Sequence, residues 1–102
     1  MKTMEVHVVR VYIHEGQHLM RDIVDLLHDR EKVRGVTVFR GIAGFGSSGA
    51  LHTANLLDLS LDLPLVVEFF DTPQRVEEIL EVLKDYVKPA HTVIWPAQVT
   101  LD

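Results

Sequence analysis

The residues with the most chemical promise sit between positions 41 and 49, where Gly41, Gly44, Gly46 and Gly49 surround the adjacent Ser47 and Ser48. Closely spaced glycines expose uncrowded backbone amides, and two hydroxyls beside them complete the equipment of an anion-binding nest, for which phosphate is the natural guest. Arg40 stands at the start of the segment and adds a guanidinium suited to an oxyanion. The same composition also makes a hairpin tip with no ligand, and composition does not choose between the two. The letters Gly44-Phe45-Gly46-Ser47-Ser48-Gly49 spell the dinucleotide fingerprint G-x-G-x-x-G. That fingerprint needs a helix opening at its third glycine in an open parallel sheet. Here a Leu/Asp alternation follows, and the strands are too few for a doubly wound fold.

Six histidines raise the question of a metal, with His14 and His18 four residues apart and Glu15 between them. Gly16 interrupts the turn that would bring them onto one face, and no third ligand follows at a recognisable spacing. Ser47 or Ser48 with His52 is the one local nucleophile and base pairing, but there is no Gly-x-Ser-x-Gly elbow and no orienting acid. Glu68 interrupts a strongly apolar stretch and is expected at an interface; Trp95 is expected in a core or interface.

These groups are carried by a chain of 102 residues, 47% hydrophobic and 25% charged, the composition of one globular domain spanning residues 1–102. The net charge of −5 argues against nucleic acid as a partner. The lack of cysteine removes disulfides, thiolate metal sites and a cysteine nucleophile. No apolar run approaches the length of a membrane span and no signal peptide is visible, so a cytoplasmic protein is expected.

Residues 5–13, rich in Val, Ile and Tyr, predict a first strand. Leu19, Met20, Ile23, Leu26 and Leu27 recur at helical spacing and predict an amphipathic helix ending near Val33, followed by a strand over 36–39. After the glycine segment, Leu57, Leu59, Leu61 and Leu63 alternate with polar residues, predicting a half-buried strand that runs on through 65–70, with Pro64 at a bulge or edge. Thr72-Pro73 opens a second helix whose stripe is Val76, Ile79, Leu80, Leu83 and Val87 and which Pro89 closes. The tail from 91 to 101 predicts a last strand, interrupted at Pro96. The order implies an α+β, ferredoxin-like βαββαβ sandwich with a glycine-rich hairpin loop. Its helices cover one sheet face. Apolar residues on both faces of Val8-Val9 and Val66-Val67 then predict that another copy of the protein covers the second.

With that layout, the run Val36-Thr37-Val38-Phe39-Arg40-Gly41-Ile42-Ala43-Gly44-Phe45-Gly46-Ser47-Ser48, followed by Leu51-His52-Thr53-Ala54 and Leu63-Pro64, resembles a family of uncharacterised PII-like proteins. The resemblance extends from residue 8 to about residue 88. It implies the fold of the nitrogen-regulatory PII signalling proteins, which are trimers that bind adenine nucleotides in clefts between subunits. Gly44, Phe45 and Gly46 match the PII Gly-Phe-Gly that lies against the nucleotide, and Gly35 and Thr37 match the Gly-x-Thr-Val whose threonine faces the adenine. The implied ligand-binding set is Gly35, Thr37, Arg40, Gly41, Gly44, Phe45, Gly46, Ser47, Ser48 and His52.

Departures narrow the expectation. Ser47-Ser48 replaces the PII glutamine that helps to hold magnesium and 2-oxoglutarate, leaving magnesium open. The T-loop tyrosine is missing. Tyr86-Val87-Lys88-Pro89-Ala90-His91 replaces a glycine-rich phosphate loop, and the C-terminal arginine pair is gone. AMP, ADP or a cyclic nucleotide then fits better than a triphosphate. The leading expectation is a noncatalytic trimeric sensor whose 41–60 segment docks on a partner protein, with a membrane transporter or channel as the partner class. The alternatives are a histidine-rich metal-binding or metal-tolerance trimer, as for other trimers of this fold, and a small trimeric enzyme using Ser48 and His52.

Overall fold

The structure is a computed structural model that describes residues 1–46, 51–53 and 62–102, with only the backbone described at 51–53. Strand β1 (Thr3–His14) buries Val9, Val11 and Ile13 at a period of two, as a strand covered on one face must. A three-residue 3₁₀ turn (Glu15–Gln17) leads to α1 (Met20–Asp25), which continues as a π-helical turn over Leu26–Arg30. The helical path therefore stops short of Val33. It is closed by wide hydrogen bonds from Glu31 N to Leu26 O and from Val33 N to Leu27 O, with Lys32 left-handed at φ 51°. The wider turn lets the consecutive Leu26 and Leu27 both reach the core beside Ile23.

Strand β2 (Val36–Arg40) is followed by a short ribbon of β3 (Ala43–Phe45) and β4 (Leu51–Thr53), which the glycine pattern did not reveal. Strand β5 (Pro64–Asp71) opens at Pro64, so Asp62 and Leu63 precede it; the predicted alternation over 57–61 lies outside the described residues. Helix α2 (Pro73–Leu83) starts as its sequence dictates, with Thr72 Oγ1 accepting from Arg75 N at 3.3 Å and proline in the first turn. It ends before Pro89, at Leu83, and a turn carries Val87 back to the core.

Strand β6 (Thr92–Thr100) runs through Pro96 without a break. The interruption expected there does not occur because β6 pairs only with β1. It is an edge strand, where a missing N–H costs no ladder bond.

The four main strands lie in the order β2-β5-β1-β6, all antiparallel, with both helices on one face: the ferredoxin-like sandwich. Between sheet and helices lies one core, in which Val9, Val11, Val67 and Phe69 meet Ile23, Leu27, Val76 and Ile79. The other sheet face presents Phe39 and Val93, each nearly half exposed, around Arg10 and Glu68.

Candidate functional site

The glycine segment leaves the sheet at a neck built from three short stretches. Gly41 N–H donates to Pro64 O at 2.8 Å, and a Cβ at Gly41 would fall 2.7 Å from Pro64 Cγ. Glycine is what permits that approach. On the other side, Glu15 N–H donates to Leu63 O at 2.9 Å, while Asp62 Oδ1 accepts from Gly16 N–H at 2.6 Å and from His14 Nδ1 at 2.8 Å. Arg40 Nε donates to Glu15 Oε1 at 2.7 Å. The turn after β1 therefore grips both ends of the segment, through Arg40 on one side and through Asp62 and Leu63 on the other.

Beside this neck opens a cavity of about 440 Å³. Gly41, Gly44, Phe45 and Gly46 form one wall, and Phe45 keeps 76% of its surface exposed. Ile13, Leu65 and Val66 also line it, the first two nearly buried in the core, and Tyr12, His14, Gln17, Lys88 and His91 supply its polar groups. No Asp or Glu lines the cavity among the described residues, although the whole chain carries −5. A Lys, two imidazoles and a glycine-rich backbone in such a chain favour an anion.

His91 is fixed from two directions: its carbonyl accepts from Tyr12 N at 2.8 Å and its Nδ1 donates to Tyr12 O at 3.2 Å. A carbonyl oxygen can only accept, so Nδ1 carries the hydrogen and Nε2 is the proton-accepting atom. Lys88 and His91 flank Ala90, which adopts a left-handed φ of 68° without being glycine. An L-residue held there stores backbone strain of a kind that clusters at functional sites.

Of the residues the sequence singled out, Gly41, Gly44, Phe45 and Gly46 come together in the cavity wall. Arg40 stands at the neck, engaged by Glu15. Thr37 lies on the helix-free face opposite Glu68, about 13 Å along β2 from Gly41 at the usual rise per residue, and Gly35 lies beyond it. His52 pairs with Gly44 across the ribbon through its backbone; its side chain, and Ser47 and Ser48, lie outside the described residues. Lys88, His91, Tyr12 and Gln17 were missed. The replacement of the PII phosphate loop by a segment containing Lys88 and His91 was the signal available for those two, but only the strand order brings that segment beside Gly44. For His14 the sequence suggests only a metal pairing with His18. Among the described residues no three His, Asp or Glu side chains converge as a metal site would require.

On the helix-free face, Arg10 Nε donates to Glu68 Oε1 at 2.7 Å, and the guanidinium lies 5.7 Å from the Phe39 ring centre and 5.5 Å from that of Trp95. Hydrogen bonding to Glu68, then to Tyr12, raises the Arg10 pKa above its ordinary value. The face is thus aromatic and aliphatic around a charge pair that neutralises itself. No helix among the described residues is long and apolar enough to cross a membrane.

Residues 1–99 match the family model DUF190, described as "Uncharacterized ACR". A UPF0166 protein of Aquifex aeolicus is 31% identical over 88 residues, covering 82% of this chain and 84% of that protein. One of Methanocaldococcus jannaschii is 28% identical over 85 residues, covering 79% and 78%. Among solved structures, CPII of Thiomonas intermedia K12 bound to ADP and bicarbonate superposes with a TM-score of 0.74 at 22% identity, covering 96% of this chain and 91% of CPII. A putative PII-like signalling protein of Thermus thermophilus gives 0.66 at 16% identity, covering 97% and 91%. The fold is PII-like.

Proposed function

This chain belongs to the DUF190 family, and we propose that it is a noncatalytic PII-like regulatory protein, a single domain per subunit, that binds an adenine nucleotide beside its glycine segment and acts on a partner protein through residues 41–60. The observation that carries the reading is a cavity, walled by Gly44, Phe45 and Gly46, that no carboxylate lines among the described residues of an acidic chain. Phe45 offers an exposed ring for a base, and Lys88 a cation for a phosphate. One lysine and two imidazoles suit AMP or ADP better than ATP. CPII, solved with ADP, AMP and bicarbonate bound, supports the same ligand class.

Thr37 and Gly35 lie too far along β2 to reach a ligand in this cavity from the same subunit. A neighbouring copy brings them to it when the helix-free faces associate, as in a homotrimer with its ligand between subunits. The self-neutralised Arg10–Glu68 pair suits that face to burial against another copy, because no net charge needs a counterpart. The grip of residues 14–17 on both ends of the segment links cavity occupancy to the 41–60 surface. The protein works in the cytoplasm, and the partner class we favour is a membrane transporter or channel.

The test is a thermal-shift panel of AMP, ADP, ATP, cyclic AMP, cyclic di-AMP and 2-oxoglutarate, with and without magnesium and bicarbonate. A ligand at 100 times its Kd stabilises by about 2.7 kcal/mol, a rise of roughly ten degrees for a domain of this size. A shift confined to adenine ligands supports the reading; a flat panel overturns it.

A further inference from the structure

We propose that Pro96 is the residue that keeps the free edge of β6 from adding another strand, above all β6 of a second copy of this chain, an inference independent of the nucleotide site. The backbone fixes which groups that edge offers. Tyr12 N–H donates to His91 O at 2.8 Å and Leu101 N–H to Lys2 O at 2.9 Å, both in the register that sets Thr3 opposite Thr100. In an antiparallel pair such residues alternate with ones whose N–H and C=O point the other way. The odd-numbered residues of β6 therefore face β1. Thr92, Ile94, Pro96, Gln98 and Thr100 turn their backbone groups outward, where β6 has no neighbour.

That edge lacks the usual protections of an exposed strand. From Thr92 to Thr100 it carries no Asp, Glu, Lys or Arg, and its register with β1 runs the whole way without a bulge. Thr92, Val93, Ile94 and Trp95 are β-branched or aromatic, the residue types that favour strand addition. Helix α2 leaves the edge open. Cavities of about 340 and 320 Å³ lie between helix and strand, the first lined by Leu80 with Ile94 and the second by Leu80 with Thr92, and Ile94 keeps 43% of its surface exposed. The opposite edge of the sheet is protected by ordinary means, since β2 is five residues long and ends on Arg40. On β6 the one interruption is Pro96, the middle residue of the outward set. Antiparallel pairing of two β6 edges about a two-fold axis is self-complementary. Centred on residue 96, it sets the two prolines opposite each other, so neither N–H of that pair exists. Centred on Ile94 or Gln98, it sets a proline against Thr92 or Thr100 at two places. Every alignment that uses most of the edge thus loses two hydrogen bonds and strands the carbonyls that face them.

Restoring the missing donor tests this. In Pro96→Val the outward N–H returns on a residue suited to a strand, and Pro96→Ala is the second variant should the first fold poorly; neither removes a bond to β1. Sedimentation velocity of the full chain over a wide range of concentration reads the mass, and hydrogen exchange at the Ile94 and Gln98 amides reads the edge itself. The wild type should show no species beyond its ordinary assembly, with both amides exchanging freely. The variant should add a concentration-dependent species of about twice that mass, in which both amides exchange about tenfold more slowly. A precipitate in which those amides are protected supports strand addition equally. Variants that fold, as Trp95 fluorescence reports, yet keep the wild-type mass and freely exchanging edge amides overturn the inference. Added mass with the two amides still exchanging freely also overturns it, since the contact then lies elsewhere. None of these outcomes bears on ligand binding in the cavity.

Discussion

Replacing Gly41 by alanine tests whether the neck of the glycine segment is built by close backbone approach. The new Cβ would lie 2.7 Å from Pro64 Cγ and 3.5 Å from Pro64 O. Relief to ordinary contact at 3.4 Å requires a shift of about 0.7 Å in a region packed at crystal-like density. Pro64 can yield little, since its ring is rigid and its strand is paired with His14 of β1. The strain adds to a lengthened bond from Gly41 N to Pro64 O. Overpacking and a weakened hydrogen bond together cost about 2 kcal/mol, or about 8 °C in Tm for a domain near 100 residues. Gly35 is the control. A Cβ there meets nothing within 4 Å and its backbone lies outside the left-handed region, so Gly35→Ala should stabilise by roughly 0.4–1 kcal/mol through the unfolded chain. Urea titration followed by Trp95 fluorescence, at one fixed protomer concentration, measures both. A Gly41→Ala protein within about 0.5 kcal/mol of the wild type, or one more stable than Gly35→Ala, refutes the close-approach account.

Three further outcomes are expected. Ala90→Gly should stabilise by about 0.5 kcal/mol in the same titration, because relief of the left-handed alanine outweighs the added chain entropy of glycine. Thr72→Ala should cost about 0.5–1 kcal/mol, the lower part of the range for a lost cap, since the bond to Arg75 N is long at 3.3 Å; the thermal midpoint checks it. Glu68→Leu, which strands the Arg10 charge on the helix-free face, should weaken self-association about tenfold by sedimentation velocity, and the exchanged pair Arg10→Glu with Glu68→Arg should recover most of it.

The main strands and the helical layer were legible because their signals are periodic. Strand β5 alternates through Leu65, Val67 and Phe69, and α2 carries both its cap and its stripe. What escaped depends on relations between distant segments. The place of Pro96 could be judged only once β6 was known to be an edge, and the π turn at Leu26–Arg30 answers the need of two adjacent leucines to reach one core. At the site, the glycine wall announced itself through composition. Lys88 and His91 did not, because they meet Gly44 and Phe45 only through the pairing of the first strand with the fifth and sixth. Asp62 had no local mark at all; its role comes from Gly16, 46 residues away in sequence.

That same strand order governs when the sheet can assemble during synthesis. The central strand β1 is made first, yet its neighbours are β5 and β6, with Thr3 opposite Thr100. At ~5–20 residues per second, β1 waits roughly 4 to 17 s for its last partner to be made. Until β5 is made Val8, Val9 and Val11 have no ladder to join, and until β6 is made they have one on a single side. The valine-rich strand is thus the part of the nascent chain most dependent on chaperone cover, and a high share of long-range pairing makes the final closure slow.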